Sequence, residues 1–480
     1  MIENNPYIAG TFAVYLGVIL LLAWIAYRRT RNLSDFILGG RSLNSWFTAM
    51  AAQASDMSGW LLMGLPGFAY LAGMEAGWMV AGLLAGTYFN WKVVARRLRE
   101  ATEKLGDALT MPDYLERRFA DDTRVLRLIA GAFVLFFFTL YTSSGFVAGA
   151  KLFESLFGVP YGWALILGGL SIVLYTFFGG FLAISWADFL QGTLMFFALI
   201  LVAAAGWHAI GGGDGLHASL NALNAELLDP FTAGSGEALG WIGIASLLAW
   251  GLGYPGQPHI LTRFMAIRDP AELKTSRRIA MAWQASVLAA AMVVGLTAVG
   301  VLEVPLQGAD AEKAFILMAA QFFPAVIAGV CLSAILAAIM STASAQLLVA
   351  SSAFAEDFYK GLARRDAGQK ELLWVGRAAV LGISLLGLWM ARNPDSKVLD
   401  LVAWAWAGFG ATFGPAVILS LYWPRMTRNA ALAGMLVGGI TAVAWPLARG
   451  SAPIFDLYEL LPGFVLSMLA IVVVTLLRRK

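Results

Sequence analysis

The chain has 480 residues, of which 59% are hydrophobic and only 13% are charged, and its formal net charge is +3 at pH 7. This composition, with apolar runs of about 18 residues or more from end to end, excludes a soluble globular protein and predicts an all-α polytopic membrane protein. The single cysteine, Cys331, excludes an intramolecular disulfide, and three scattered histidines argue against a zinc site. No nucleic-acid partner is expected, because membrane orientation explains the placement of the basic residues.

Charge-poor segments predict thirteen transmembrane helices in a single domain. Glu3 precedes the first span and three arginines follow it, the reverse of the flanks of a cleaved signal peptide, so we expect this helix to be retained. The predicted spans are 7–27, 43–72, 74–95, 125–155, 161–180, 187–211, 240–261, 279–301, 320–353, 374–391, 400–423, 429–447 and 459–477.

The distribution of Lys and Arg predicts how these spans are oriented. If the amino terminus is outside, all but five of the 33 Lys and Arg residues fall in connections on the inside, and the long external connection 210–240 has none. A bias of this size is the pattern that sets membrane topology. It predicts an external amino terminus, a cytoplasmic carboxyl terminus and basic loops that lie beside anionic lipid.

Asp56 is the only charged residue in the run 42–74. A charge at bilayer depth costs at least about 2.5 kcal/mol, so a carboxylate retained there usually faces a cavity or a partner. The same run carries Gly and Pro at 64–67, where we expect the helix to break. These features predict an ion or substrate pathway, with an interhelical turn at the membrane surface as the alternative position of Asp56.

The sequence GLPG at 64–67 in the second predicted span is matched by GYPG at 253–256 in the seventh. Because five spans separate them, the two copies would cross the membrane in opposite senses, which is the inverted-repeat plan of secondary transporters. Backbone groups freed at such breaks need protein, water or ligand partners. The alternative is two coincidental kinks.

A polar cluster in the ninth predicted span strengthens the case for an ion site. Ala338, Ser341 and Thr342 stand at i, i+3 and i+4, which places one carbonyl and two hydroxyls on one helical face. Hard cations such as sodium favour several oxygen ligands. The alternative is that both hydroxyls bond back to carbonyls of their own helix.

Trp250, Tyr254 and Pro258 recur every four residues around the seventh-span break. At that spacing they share one side of a helix, as far as the helix stays wound. Because they flank a glycine-rich break rather than a helix end, they predict a cavity wall. An interfacial aromatic belt or ordinary packing is the alternative.

Motifs spread over the whole chain identify a resemblance to a known family. The sequence resembles the sodium/solute symporter family, within it the members that take up proline. The matching motifs are ILGGRSL at 37–43, ASDMSGWLLMGLPG at 54–67, GGFLA at 179–183, GLGY at 251–254, GQPHI at 256–260 and AILAAIMST at 334–342.

The resemblance implies a five-plus-five inverted-repeat transporter core with broken helices. The repeats would occupy 42–212 and 238–424, with extra helices in 1–41 and 425–480. The implied activity is uptake of L-proline coupled to entry of a sodium ion by alternating access, in the bacterial inner membrane. Neither an enzymatic activity nor an obligate protein partner is implied.

The resemblance also implies two adjoining binding sites. The sodium site would use the carbonyls of Ala54, Met57 and Ala338 with the side chains of Ser341 and Thr342. Asp56 is implied to be needed for sodium binding, either as a direct ligand or through its charge. The implied proline pocket consists of Ser55, Ser58, Gly64, Tyr141, Trp250, Tyr254 and Pro258.

Two further residues receive supporting roles. The resemblance also implies that some family members bind a second sodium ion, near a carboxylate at the start of the sixth span and a row of hydroxyls on the ninth. Asp188 and Ser344 would fit these positions, but Ala345 interrupts the row in this sequence. We therefore predict one sodium per proline and a supporting or gating role for Asp188. Arg41 would aid sodium release at the internal mouth, with a surface anchor as the alternative.

Other function classes remain open at this stage. A proton-coupled carrier would use Asp56 as the relay, and another small solute, such as a carboxylate or a vitamin, could replace proline. A solute receptor would bind without translocation. An enzyme or an ATP-driven pump is the least favoured class, because the sequence has no Walker-type phosphate loop and no soluble catalytic domain.

Overall fold

The computed structural model describes residues 5–29, 38–178 and 180–477, and it is helical through most of them. The motif residues Ile37 and Gly179 and the terminal residues 1–4 and 478–480 lie outside these ranges. In the first half of the chain the α-helices are α1 (Pro6–Arg29), α2 (Ser45–Asp56), α3 (Leu65–Ala72), α4 (Ala76–Phe89), α5 (Ala95–Lys104), α6 (Met111–Arg118), α7 (Val125–Phe157), α8 (Tyr161–Phe178), α9 (Phe181–Ala209) and α10 (Gly212–Asn224).

The second half repeats this all-helical plan. Its α-helices are α11 (Gly240–Leu248), α12 (Pro258–Met265), α13 (Leu273–Val301), α14 (Ala314–Phe322), α15 (Ala325–Ala353), α16 (Gln369–Met390), α17 (Val398–Tyr422), α18 (Arg428–Ala444) and α19 (Leu460–Leu477). Wider π-helical turns occupy Trp60–Gly64, Asn90–Val94 and Phe354–Ala363, and the longest 3-10 segment is Ala249–Gly256.

Eleven helical stretches within the described residues are long and apolar enough to cross a membrane. Two features explain why this number is lower than the thirteen predicted spans. The stretch Trp60–Lys104 runs through parts of two predicted spans, and the predicted span 240–261 is divided into short pieces that are each below membrane length. The exact count of thirteen therefore stays a prediction.

The first helix break lies earlier than the sequence suggested. Asn44 caps α2 by accepting hydrogen bonds from the N–H groups of Trp46 and Phe47, and α2 ends at Asp56. The backbone then leaves the helical conformation at Met57 and Ser58. The prediction of a break at 64–67 was wrong in position, because the π-helical turn Trp60–Gly64 runs directly into α3 there. This wider turn accommodates the N–H group that Pro66 lacks.

The second break lies where the sequence placed it. Between α11 and α12 the chain tightens into the 3-10 segment, with Pro255 inside it. Side chains satisfy the carbonyls freed there: Trp406 donates from Nε1 to the Trp250 carbonyl at 2.8 Å, and Asn90 donates to the Tyr254 carbonyl at 3.2 Å. An irregular backbone at membrane depth is tolerated when protein groups bond it in this way.

Both breaks lie in the middle of the helix bundle. Helix α2 packs against α9, α12, α13 and α15, while the 3-10 segment packs against α4, α17 and α19. The approach of α4 is close enough to require glycine: a Cβ on Gly86 would lie 2.1 Å from the carbonyl oxygen of Gly251. Small residues at such crossings let two backbones meet.

A buried ion pair joins three elements near one end of the bundle. Lys151 on α7 donates to Glu312 at 2.7 Å, and both side chains are buried. Glu312 also accepts hydrogen bonds from the backbone N–H groups of Val398 and Leu399, at the start of α17. The pair therefore holds α7, the 3-10 turn Gly308–Lys313 and α17 together.

Candidate functional site

The end of α2 meets the polar face of α15. The hydroxyl of Thr342 donates to the carbonyl oxygen of Ala54 at 3.3 Å, and both residues are buried. Ala338, Ser341 and Met57 are buried as well. The structure thus brings together the unwound end of α2 and the helical face that the sequence predicted as an ion site.

Asp188 lies directly beside this face. The Ser341 hydroxyl donates to Asp188 Oδ1 at 2.6 Å, while Arg263 on α12 donates from Nη2 to Asp188 Oδ2 at 3.0 Å. A second bond from Arg263 reaches the Ser185 hydroxyl, also at 3.0 Å. Sequence reasoning missed Arg263, because it falls in a stretch counted as a basic internal loop; its place seven residues after the GYPG break was the available signal.

Asp56 contacts the opposite broken helix rather than α15. Its Oδ2 accepts a hydrogen bond from the Tyr254 hydroxyl at 2.9 Å, and its Oδ1 is buried with no hydrogen-bond partner among the described residues. Tyr254 in turn accepts from the amide of Gln284 at 2.8 Å, and Gln53 donates to Gln284 at 2.9 Å. A chain of hydrogen bonds therefore links α2, α13 and the 3-10 segment.

The predicted pocket residues surround the two breaks. Trp250 stacks on Tyr458 with ring centroids 5.4 Å apart, so a ligand would have to contact the other face of the indole. Tyr254 meets Trp406 edge to face at 5.0 Å. Pro258 begins α12, and Gly64 packs against Leu399.

The two serines of the predicted pocket make only local hydrogen bonds. Ser55 bonds back to the Ala52 carbonyl at 3.2 Å, and the hydroxyl oxygen of Ser58 accepts from the Trp60 N–H at 3.4 Å. Both residues are buried. Each hydroxyl therefore keeps hydrogen-bonding capacity for a ligand.

Several buried polar atoms around the breaks have no partner among the described residues. They include the Tyr141 hydroxyl, both ring nitrogens of His259 and the side-chain oxygen of Gln257. Tyr141 and His259 meet edge to face with centroids 6.0 Å apart. Leaving a buried polar group unpaired costs about 1–3 kcal/mol, so such a concentration indicates a place for a polar ligand. His259 was absent from the predicted pocket, although it directly follows Pro258.

Arg41 lies at the end of α12, away from the unwound turn. It donates to the Met265 carbonyl at 2.6 Å and to the Ala108 carbonyl at 3.3 Å, and it pairs with Asp107 at 3.3 Å. Burial lowers the pKa of Arg41, and the nearby guanidinium of Arg99 lowers it further. These bonds tie three segments together, and a role for Arg41 in sodium release stays a prediction.

The chain is similar in sequence to a known family and to individual members of it. The chain matches the sequence profile described as "Sodium:solute symporter family" over residues 36–438. It is 49% identical to the sodium/proline symporter of Salmonella typhimurium over 97% of this chain and 92% of that relative. The Escherichia coli sodium/proline symporter gives the same identity and coverage.

A solved structure shows the fold. The substrate-bound, outward-open sodium-coupled sialic acid symporter superposes with a TM-score of 0.80 at 18% sequence identity, over 98% of both chains. At this level of identity, the similarity supports the same fold but does not identify the substrate of this chain. The architecture is the all-α polytopic transporter fold with broken helices that the sequence predicted.

Proposed function

Because the chain belongs to the sodium:solute symporter family, we propose that it couples the entry of sodium ions to the uptake of L-proline. The main support for this proposal is the arrangement at the end of α2. There the Ala54 carbonyl accepts a hydrogen bond from Thr342, and the Asp56 carboxylate accepts one from Tyr254. The last turn of α2 thus contacts both the predicted ion site and the predicted pocket. The identity of 49% to two sodium/proline symporters supports proline as the solute.

The proposed sodium site lies between α2 and α15. The carbonyls of Ala54, Met57 and Ala338 would supply oxygen atoms, together with the hydroxyls of Ser341 and Thr342. Ala54 and Thr342 already place two oxygens 3.3 Å apart, a separation at which both can face one cation. Sodium is a co-transported substrate in this scheme rather than a retained cofactor.

The proposed proline pocket lies on the other side of Asp56. The backbone N–H groups of Met57 and Ser58 donate to the carbonyls of Gln53 and Asp56. Released from these bonds, they would suit the proline carboxylate. The unstacked face of Trp250 would hold the secondary ammonium by cation–π attraction, and the aromatic wall would cover the apolar ring. Ser55, Gly64, Tyr141, Tyr254 and Pro258 complete the proposed pocket.

Coupling would follow from the shared turn. Sodium on the Ala54 side would order the backbone at Met57, and the same backbone would present its N–H groups to proline. Each ligand would therefore tighten binding of the other by the same factor. The membrane potential would add about 2.3 kcal/mol per charge per 100 mV to the driving force.

Access to the site requires helix movement, because Asp56, Tyr254 and Ser341 are all buried. Asp188 is proposed to have a gating role, since it joins Ser341 on α15 to Arg263 on α12. The chain is a multi-pass membrane protein, and we propose the bacterial inner membrane with an external amino terminus. No enzymatic activity is proposed.

Transport into proteoliposomes tests the function. With an imposed inward sodium gradient, purified protein should accumulate labelled L-proline, and an inside-negative potential should increase the accumulation. Uptake that follows a pH gradient without sodium would identify a proton-coupled carrier instead. Preference for another small solute over L-proline would overturn the substrate assignment but leave sodium coupling standing.

A further inference from the structure

A groove open at the protein surface lies between α2, α9 and α13, outside the proposed transport site. Its volume is about 510 Å³, and its walls are mostly apolar. Trp46 and Met50 line it from α2, Phe189 and Phe196 from α9, and Trp283 from α13. The residues from each helix follow one helical face, so the groove runs along the helices rather than across them.

The helices that form the groove are packed firmly against one another at its floor. The Trp283 indole donates from Nε1 to the Gly192 carbonyl at 3.2 Å, which fixes α13 to α9. The Met50 methyl group would be 2.9 Å from a Cβ on Gly192, so α2 also contacts α9 closely. The groove is therefore a shaped depression between joined helices and not a gap between separate ones.

The two hydroxyl groups that line the groove are already satisfied. Thr193 donates back to the Phe189 carbonyl at 2.7 Å, and Ser286 donates to the Ala282 carbonyl at 2.9 Å. Neither hydroxyl hydrogen is available to a ligand. The walls thus suit a hydrocarbon chain better than a peptide, whose backbone groups would lack partners in this environment.

One end of the groove carries an unpaired positive charge. Arg278 lines it, is exposed, and has no hydrogen bond or ion pair among the described residues. Lys274, also exposed and without such a partner, lies one turn earlier on the same face. From Arg278 to Ser286 the helix rises about 12 Å, a length comparable to much of one acyl chain.

We propose that this groove binds an anionic phospholipid. One acyl chain lies along the apolar walls, and the phosphate group is held by Arg278 with help from Lys274. A guanidinium binds phosphate oxygens in a bidentate manner, and basic pockets between membrane helices attract such headgroups. Because Met50 is one turn before Ala54, the bound lipid contacts the helix that carries the unwound turn.

Photolabelling tests the proposal. The protein is reconstituted in phosphatidylcholine vesicles that contain phosphatidylglycerol with a photoreactive group in its acyl chain, and labelled peptides are mapped by mass spectrometry. We expect adducts on the groove faces of α2, α9 and α13, reduced by unlabelled phosphatidylglycerol but not by added phosphatidylcholine. The variant K274Q/R278Q should lose about thirtyfold of this labelling, the fold-change expected for about 1 kcal/mol from each of two lipid-facing cations.

Two further variants separate the contributions of the groove and the charges. A282L narrows the groove at an exposed position and keeps both cations, so it should also lower labelling. K370Q removes an exposed cation elsewhere and should leave labelling unchanged. Three outcomes would each overturn the proposal. They are equal labelling by a phosphatidylcholine probe, full labelling of K274Q/R278Q, and protein-to-protein crosslinks from A282C that show a second copy on this face.

Discussion

Ser341 and Thr342 are adjacent on α15, but their hydroxyls have different partners. Thr342 bonds to the Ala54 carbonyl, whereas Ser341 bonds to Asp188. If both hydroxyls hold sodium, each would do so beside a different partner, Asp188 or Ala54. Their contributions can then be separated by substitution.

We expect S341A and T342A each to raise the sodium concentration for half-maximal proline uptake about tenfold, which corresponds to loss of about 1.4 kcal/mol of binding free energy. T342S keeps the hydroxyl and should remain close to the unchanged protein. S333A is the matched control, because Ser333 lies earlier on α15 and bonds only to the Gly329 carbonyl. Sodium-dependent uptake in proteoliposomes gives the measurement, and an unshifted sodium requirement in T342A would remove Thr342 from the site.

Asp56 and Tyr254 form a hydrogen bond that joins the two broken helices. D56N preserves the shape and the acceptor oxygen but removes the charge, which would leave a bound cation without its nearby compensation. Removing one partner of a buried charge pair costs about 3–5 kcal/mol, so we expect sodium-driven uptake to fall at least about a hundredfold. Y254F keeps the carboxylate and should lose less, about tenfold, as expected for one hydrogen bond to a charged group.

The measurement for this pair is the initial rate of uptake over a range of sodium and proline concentrations. Thermal unfolding in detergent serves as the control for folding, since both side chains are buried. Wild-type sodium dependence in D56N would contradict the proposed role of the carboxylate.

At the scale of elements, the crossing of α4 with the 3-10 segment depends on the absence of side chains. A Cβ on Gly86 would lie 2.1 Å from the Gly251 carbonyl oxygen and 2.4 Å from its Cα. Both clashing atoms belong to the backbone, so no side-chain rotation relieves them. The position of the broken helix therefore rests on this contact.

Overpacking of this kind costs about 1–3 kcal/mol, so we expect G86A to lower the apparent Tm in detergent by several degrees. It should also reduce the amount of protein in the membrane. G382A is the control, because Gly382 lies within α16 and nothing would be within 4 Å of its added Cβ. There alanine should leave the apparent Tm equal or higher, since it favours helix over glycine. Equal Tm values for the two variants would contradict the crossing as described.

The elements show what the sequence could and could not determine. The Gly and Pro pattern predicted a break in each repeat, and its position is correct near Pro255, where a proline inside the segment constrains the chain. Near Pro66 the position was wrong, because the chain stays helical there through the π-helical turn Trp60–Gly64, which accommodates the proline. Local residues identify that a helix is interrupted, but packing decides at which turn.

The candidate site likewise contains some features that the sequence indicates and others that it does not. The spacing of Ser341 and Thr342 predicted that they share one helical face, and the isolation of Asp56 among apolar residues predicted its burial; their role in an ion site stays a prediction. The bond from Arg263 to Asp188 joins residues 75 positions apart, and no local pattern in either segment indicates it. Pairings of this kind follow from the tertiary fold, which a single sequence does not give.

At the scale of the whole molecule, the orientation in the membrane is a prediction from the Lys and Arg distribution alone. It places α10 outside and the connection before α16 inside. Cys331 is the only cysteine and is buried, so a C331S background permits single-cysteine labelling. Asn221 on α10 and Lys370 near the start of α16 are both exposed.

In intact cells, N221C should react with a membrane-impermeant maleimide, whereas K370C should react only after the membrane is permeabilised. The C331S parent protein gives the background. The reverse pattern would invert the topology, and labelling of both sites in intact cells would mean that an odd number of spans does not separate them.

The row of hydrogen bonds from Gln53 through Gln284 and Tyr254 to Asp56 has one direction, since each group donates to the next. Aligned bonds of this kind polarise one another, so groups on α2 and α13 help to stabilise negative charge on Asp56. A carboxamide, however, holds its hydrogens on nitrogen and does not pass them on. The row therefore stabilises negative charge on Asp56 electrostatically, but the two carboxamides cannot relay a proton along it to the carboxylate.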